Sequence, residues 1–418
     1  MPKQHGIGPN LGQFLWLVAN TVLVGLTVGT ERAIVPLLGH QVYHVGAFGT
    51  LAFIASFGLA KAPLNLVAGR WSDRVGRRRI LIWGWILGVP MVVLLLGVHA
   101  WWAVVVANVF LGANQAFAWT MTISAQLDLV GPSQRGLAMG INEATGYLGV
   151  AIATWFSGYL AGFAGSTSPF IFAAAVVGIG FFTSLFFIRD TRAWVASETR
   201  LTVDRTYDQQ VRKQSAWRSF VHTSFQEPTL SAASWAGLVN KLADTVAWGV
   251  LPLYLAARHL PVMDIAWISG SYTGAWGMSQ FGTGSLSDHI GRKIPIVTGF
   301  FLLGAGFMGL LWVRGLWPWI LLAVLAGVGM ALLYPNLNST VSDVAPPDRR
   351  GSILGVYRLW RDGGYFVGGV VVGAILSFVG AFGTILVVVG IVWAMAIILI
   401  VRMRETHGRQ KLSRVSEM

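Results

Sequence analysis

Five cations and four acids sit inside long apolar runs of this sequence: Arg32, Lys61, Lys241, Arg358 and Arg361 against Glu31, Glu143, Asp244 and Asp362. Charge within a hydrocarbon layer is costly, and is kept where it lines a watery path, carries an ion or forms a buried pair. Glu31 adjoins Arg32. Burial favours its neutral carboxyl, while the neighbouring guanidinium favours the ionised one. A group balanced in that way exchanges a proton when its hydration changes, so Glu31 is the leading proton-coupling residue. A permanent Glu31–Arg32 or Glu31–Lys61 pair is the structural alternative. Lys241 and Asp244 lie three residues apart, on one helical face. They either neutralise each other or part when substrate arrives, which makes Asp244 the second coupling candidate. Arg358 and Arg361 share that spacing, and Asp362 adjoins Arg361. Arginine forks onto carboxylate or phosphate, so the small cation excess fits an anionic or zwitterionic substrate. Service at a gate between two halves explains Arg358 and Arg361 equally well.

A second pattern is repeated. GRWSDRVGRRR at 69–79 returns as GSLSDHIGRK at 284–293, an offset of 215 that places Gly69, Asp73, Gly76 and Arg77 on Gly284, Asp288, Gly291 and Arg292. The same offset carries Asp128 to Asp343, Pro132 to Pro347, Arg135 to Arg350, Gly136 to Gly351 and Gly140 to Gly355. It also sets Glu143 opposite Arg358, so one equivalent position holds opposite charges in the two halves.

The elements that position these residues follow from composition. Of 418 residues, 55% are hydrophobic and only 11% charged, far from the quarter or so that is charged in soluble domains. The chain is an integral membrane protein. It has no cysteine, which removes disulfides, thiol catalysis and thiolate metal sites. The net charge of +13 does not indicate a nucleic-acid partner, because the basic residues cluster in alternate connections. No cleavable signal peptide is expected, since the first apolar run is too long and carries Glu31–Arg32 inside it. At roughly 20 residues per crossing the apolar runs give twelve spans: 12–38, 46–70, 80–98, 102–126, 136–163, 169–188, 230–256, 264–286, 294–313, 317–341, 351–376 and 380–401. The expected fold is therefore all-α, with two pseudo-symmetric six-helix bundles around a central cavity. The domains are 1–188 and 230–402, joined by a cytoplasmic linker at 189–229 and followed by a tail at 403–418. The linker reads as a solvated segment with a helix lying along the membrane surface.

Arg74, Arg77, Arg78 and Arg79 follow span 2, and Arg292 and Lys293 follow span 8, whereas the opposite connections hold only Arg258 and Arg314. Both termini are accordingly expected in the cytoplasm. Spans 3, 6, 9 and 12 contain no ionisable or amide side chain and read as lipid-facing supports. The rest carry the polar residues and are expected to enclose a cavity.

The motif G-x-x-x-D-x-x-G-R-[KR], present twice, resembles the signature of the major facilitator superfamily. With twelve spans, a central linker and duplicated loops, the resemblance covers nearly the whole chain. It implies two bundles around a cavity that opens alternately to each side, with helices 1, 4, 7 and 10 lining it and 2, 5, 8 and 11 joining at the interface. Subfamily marks differ. The arginine that many drug/proton antiporters carry in helix 4 is matched here by Asn108, and GYLGVAIATWFSGYLAG at 146–162 lacks their Gly-Pro pair. Sugar-porter motifs are absent. TERAIVP at 30–36 resembles organic-anion and spinster-type lipid carriers. A lone acid in helix 1 also recurs among multidrug antiporters.

The reading is thus a proton-coupled secondary transporter of a bacterial inner membrane, exporting amphipathic compounds, with an organic-anion symporter or exchanger as the alternative. Substrate-cavity candidates are Arg32, Lys61, Asn114, Gln115, Trp119, Lys241, Gln280, Tyr334, Asn338 and Arg361. Trp155, Trp248, Trp276 and Trp360 also lie within spans and are capable of stacking on a substrate. Gate candidates are Gly69, Asp73, Arg74, Gly76, Arg77, Glu143, Gly284, Asp288, Gly291, Arg292, Arg358 and Asp362. When the cytoplasmic side closes, Glu143 is expected to meet Arg292 or Lys293, and Arg358 to meet Asp73. Partners are a small-molecule substrate, protons and lipid, with the chain a monomer, and neither cofactor nor metal is expected. An enzyme is disfavoured, because H-E-x-x-H and G-x-x-x-x-G-K-[ST] are both absent. A channel is the remaining class, which duplicated gate loops do not require.

Overall fold

The computed structural model describes residues 4–131, 134–192, 194, 216–346 and 349–406. The linker's middle, the Pro132–Pro347 equivalence and the tail beyond 406 lie outside the described residues. Within them the chain is helical, without strands. The crossing helices are α1 (Leu11–Arg32), α2 (Ala52–Val75), α3 (Arg77–Gly97), α4 (Trp101–Val130), α5 (Arg135–Ala164), α6 (Ser168–Phe186), α7 (Pro228–Thr245), α8 (Val262–Ile290), α9 (Lys293–Trp312) and α10 (Leu316–Val344). The run Arg350–Arg402 supplies α11 and α12, divided at Gly380, whose φ of 68° turns the chain back.

Among the described residues nine helices are long and apolar enough by themselves to cross a bilayer. The count reaches twelve for physical reasons. One of the nine contains the Gly380 turn and is two crossings. Polar residues such as Asn240, Lys241 and Asp244 in α7, and Gln280 and Asp288 in α8, dilute the hydropathy of two further crossings. Those residues face protein or a cavity, where a polar group is tolerated.

The two bundles begin alike. Just beyond Glu31–Arg32, α1 is interrupted at Ala33–Ile34 and continues through Val35–Leu37 and a wide turn at Leu38–Val42. Just beyond Asp244, α7 passes into a wide turn at Val246–Val250 before Leu251–Ala256. Pro36 and Pro252 each lack an amide N–H and cannot bond the carbonyl four residues back, on Arg32 and Trp248. Both irregular turns therefore sit immediately beside buried charge, as such turns tend to do at functional positions.

Across the pseudo-two-fold, α5 packs on α8 and α2 on α11, while α7 packs on α11 and α1 on α5 within their own bundles. The interface is close because small residues form it. A Cβ on Gly58 would strike the backbone of Phe366, and one on Gly158 would strike Ala266. Helices α3, α6, α9 and α12 present large exposed apolar side chains outward, among them Trp83, Phe182, Phe301 and Ile397, and contribute nothing to the central cavity.

Candidate functional site

A cavity of about 470 Å³ lies between the bundles. Its walls come from α2, α4 and α5 of one bundle and α7, α8, α10 and α11 of the other. Its mouth is bordered by Gly136, Gly140, Asp288 and Arg292, at the same end as the arginine-rich loops. We call that end the basic face. At the opposite, far face the bundles are sealed by buried apolar side chains, with Leu51 and Phe53 beside Trp248 and Gly249. Among the described residues this cavity opens toward the basic face.

The seal rests on an ion pair between bundles. Arg32 of α1 forks onto Asp244 of α7, with Nη1 to Oδ1 at 2.9 Å and Nη2 to Oδ2 at 2.8 Å. Both side chains are buried. The Tyr365 hydroxyl donates to the same Oδ2 at 2.5 Å, and the Arg32 guanidinium lies 5.0 Å from the Trp248 ring centroid. Lys241 Nζ is 4.0 Å from Asp244 and donates to the Tyr147 hydroxyl at 3.1 Å. Its ammonium lies over Trp276, Tyr334, Tyr365 and Tyr147, at 4.4, 5.0, 5.2 and 5.5 Å. Removing one partner of such a buried pair costs on the order of 3–5 kcal/mol, because the other charge stays behind unpaired.

Glu31 is only 1% exposed, yet neither carboxyl oxygen has a hydrogen bond of normal geometry. Asn108 of α4 is the polar side chain beside it. The alternative, a pair with Arg32 or Lys61, is not formed, because Asp244 takes the guanidinium from across the interface.

Of the proposed cavity residues, Lys61, Trp119, Lys241, Gln280, Tyr334, Asn338 and Arg361 do line it. Arg32, Asn114 and Gln115 do not. Arg32 is held in the seal, Asn114 donates to the Gly84 carbonyl at 2.8 Å, and Gln115 donates to the Val24 carbonyl and the Thr27 hydroxyl, each at 2.9 Å. Those two amides tie helices together inside the first bundle. Among the other tryptophans, Trp276 stacks on Tyr147 at 3.6 Å, Trp155 packs on Trp267, and Trp360 joins Trp235, Phe220 and Phe225. Within the cavity Arg361 pairs with its neighbour Asp362 at 2.8 and 3.0 Å, and Asp362 accepts from Asn65 of the other bundle at 2.6 Å.

The repeated loops form two matching clamps, each inside its own bundle. Arg77 bonds Asp73 at 2.6 Å, Asp128 at 3.2 Å and the Ser72 hydroxyl, while Thr191 donates to Asp128 at 2.6 Å. Arg292 repeats this with Asp288 at 2.7 Å, Asp343 at 3.4 Å and Ser287, and Thr406 donates to Asp343 at 3.2 Å. Gly76 and Gly291 have φ of 98° and 91°, a region open to glycine at little cost. Their missing side chains leave room for the acids Asp190 and Glu405. Glu405 accepts from the backbone N–H groups of Arg292 and Lys293 at 2.8 and 3.0 Å, at the start of α9. The anticipated contacts of Asp73 with Arg358 and of Glu143 with Arg292 or Lys293 are not made in this open form. Asp73 and Asp288 have side chains 69% and 57% exposed. Glu143 accepts from Trp119 at 3.4 Å. Gly69 and Gly284 have no atom within 4 Å of where a Cβ would stand, so no backbone approaches them here. The Arg74 side chain is exposed.

Sequence reasoning missed the clamp's outer members. Arg189-Asp190-Thr191 returns as Arg404-Glu405-Thr406 at the same offset of 215, a signal available from the repeat alone. It also missed Tyr147 and Tyr365, since nothing in a single sequence marks which tyrosine meets a charge.

The Major Facilitator Superfamily model matches residues 17–240 and again 233–416, once for each bundle. The chain belongs to the Major Facilitator Superfamily. That family is one of membrane transporters. The chain is 26% identical over 179 residues to Multidrug resistance protein 2 of Bacillus subtilis, covering 43% of this chain and 44% of that protein. It is 29% identical over 131 residues to an uncharacterized MFS-type transporter, YcaD, of Escherichia fergusonii, covering 31% of this chain and 34% of the relative. The alignments therefore span under half the length of these relatives. Among solved structures, a POT family transporter in complex with 5-aminolevulinic acid aligns with a TM-score of 0.72 at 12% identity, over 93% of this chain and 95% of that one. Nucleoside transporter NupG aligns at 0.70 and 13%, over 94% and 100%. These last two likenesses concern the fold.

Proposed function

We propose that this superfamily member is a proton-coupled secondary transporter of a bacterial inner membrane that exports small amphipathic organic compounds. Its basic face and termini lie in the cytoplasm. The bundles 1–188 and 230–402 rock about the 189–229 linker, and the chain works as a monomer in lipid. The observation that carries this reading is Glu31, a buried carboxyl with no hydrogen bond of normal geometry, one residue from the arginine that joins the halves.

With a proton, Glu31 needs no counter-ion and Arg32 stays on Asp244. Without it, the carboxylate competes with Asp244 for the guanidinium, which weakens the far seal and favours opening to the outside. Proton loss to the cytoplasm then promotes the outward stroke, and proton uptake from outside promotes the return, which is the order an exporter needs. In this scheme Glu31 exchanges the proton and Asp244 is the fixed partner. The export direction is supported by the resemblance to Multidrug resistance protein 2.

The test uses proteoliposomes with an imposed pH gradient and two labelled probes, ethidium and 2-naphthoate. Counterflow of either separates a carrier from a channel. Glu31→Gln should lose gradient-driven accumulation and keep exchange, and full uphill activity in that variant removes Glu31 from the coupling role.

A further inference from the structure

The charges that line the cavity do not cancel. Arg361 is matched by Asp362, and Arg292 by Asp288 and Asp343. The carboxylate nearest Lys241 is Asp244, and both its oxygens are engaged by Arg32, one of them also by Tyr365. Lys241 therefore spends one N–H on Tyr147 and shares an acid that another cation holds at 2.8 Å. Lys61, on the opposite wall, lies over the rings of Phe57 and Trp119 at 5.2 and 5.5 Å. No ion pair to it is formed among the described residues. Lys61 and Lys241 both line this cavity, one from each bundle. An ammonium has three donors, so both lysines reach the cavity with donors to spare. The charges left over on the walls besides the two lysines are Glu143, to which the Trp119 indole donates, and Arg358, which also borders the space beside Arg292 and Asn338 and adds to its positive excess.

Two like charges facing one enclosed space raise its positive potential, which an anion relieves and a cation worsens. The surroundings set the rest of the ligand. Trp119 borders the space on the Lys61 side, Tyr147 and Tyr334 on the Lys241 side, and Trp276 backs Tyr147 by stacking. Flat aromatic walls around a polar anchor favour a flat apolar body with one charged end.

We propose that the cavity binds an organic anion, an aromatic or similarly flat carboxylate whose acidic group is held between Lys61 and Lys241. This rests on the transporter reading only in taking the cavity as the substrate path. It names the charge of the substrate and assigns Lys61 and Lys241 as its selectivity residues. Lys241 also couples the site to the seal. A carboxylate on Lys241 draws the ammonium away from Asp244, so occupancy of the cavity is felt at the Arg32–Asp244 pair.

The experiment measures binding to the purified full-length chain in detergent, by tryptophan fluorescence quenching, for three probes of one shape. These are 2-naphthoate, the neutral 2-naphthamide and the cation (2-naphthylmethyl)trimethylammonium. Naphthoate is expected to bind at least about tenfold more tightly than the amide, the worth of one charge-assisted hydrogen bond, and the cation more weakly than either. Lys61→Gln should remove that preference, and Lys61→Arg should retain it. Each variant is compared by its gel-filtration profile and circular dichroism, and Lys61→Arg keeps the result readable if Lys61→Gln fails to fold. Equal binding of naphthoate and amide, tighter binding of the cation, or an unchanged preference in a folded Lys61→Gln overturns the proposal. Naphthoate binding without counterflow in liposomes leaves the anion site standing and removes the transport reading for that probe. Ethidium transport with no naphthoate binding does the reverse.

Discussion

Two of the settings in which arginine meets aspartate in this molecule stand in contrast. At the far seal Arg32 and Asp244 come from different bundles and are both buried. At the basic face Arg77 with Asp73, and Arg292 with Asp288, come from one bundle each, four residues apart, with the aspartates largely exposed. The chemistry is the same and the consequences are not. An exposed pair at that spacing contributes about 0.3–0.5 kcal/mol, so it cannot hold a bundle interface shut. A buried pair is costly to break from one side, and because it spans the interface that cost opposes separation of the halves at one face. In the proposed mechanism the seal is the closure that switches, and each clamp holds its own bundle together while the face above it stands open.

The largest effect expected from this contrast is at Asp244. Asp244→Asn leaves Arg32 buried without its counter-ion, and the far face should open more often. The chain has no cysteine, so a single Leu251→Cys reports on that face directly. Labelling by a membrane-impermeant maleimide should rise by about a hundredfold or more in the Asp244→Asn background, the shift that a loss on the order of 3–5 kcal/mol of closure energy gives. An unchanged labelling rate breaks the distinction between seal and clamp.

An intermediate effect is expected inside the clamps. Asp128→Ala and Asp343→Ala each remove the acid that joins Arg77 to Thr191, or Arg292 to Thr406. Each should lower thermal stability in detergent by about 1–3 kcal/mol, the cost of an unsatisfied partly buried group, with no gain in far-face labelling. If only one of the two matters, the bundles are not mechanically equivalent.

The smallest stability effect belongs to Asp73. Asp73→Lys removes one exposed contact and should shift the melting temperature little. Transport should nevertheless slow, because Asp73, exposed at the basic face, is expected to exchange Arg77 for Arg358 once that face closes. Normal transport by this variant would mean that Asp73 belongs to its own bundle alone.

Some of this was legible along the chain. The offset of 215 carried the clamps, because duplicated helices place duplicated residues in equivalent surroundings. The run of apolar residues carried the crossings, except where α7 and α8 turn polar toward the interface. Arg32 was harder to place. Its neighbour in sequence is Glu31 and its partner in space is Asp244, 212 residues away. Adjacent helix residues point in different directions, so the nearest acid along the chain was the wrong one. Asn114 and Gln115 were misread for a related reason. An amide in an apolar helix satisfies itself on a neighbouring helix as readily as it faces water, and only the packing shows which.

The sequence by itself determined that this protein spans a membrane, that it is built from two copied bundles, and which residues are too polar to face lipid. These follow from hydrocarbon's intolerance of unpaired polar groups and from periodicities that need no partner. Only the tertiary structure decided which charge answers which. It joined Arg32 to Asp244, left Glu31 without a counter-ion and left Lys61 facing the cavity. Ion pairing depends on distances of a few ångströms between helices far apart in the chain, and no spacing within one helix fixes those.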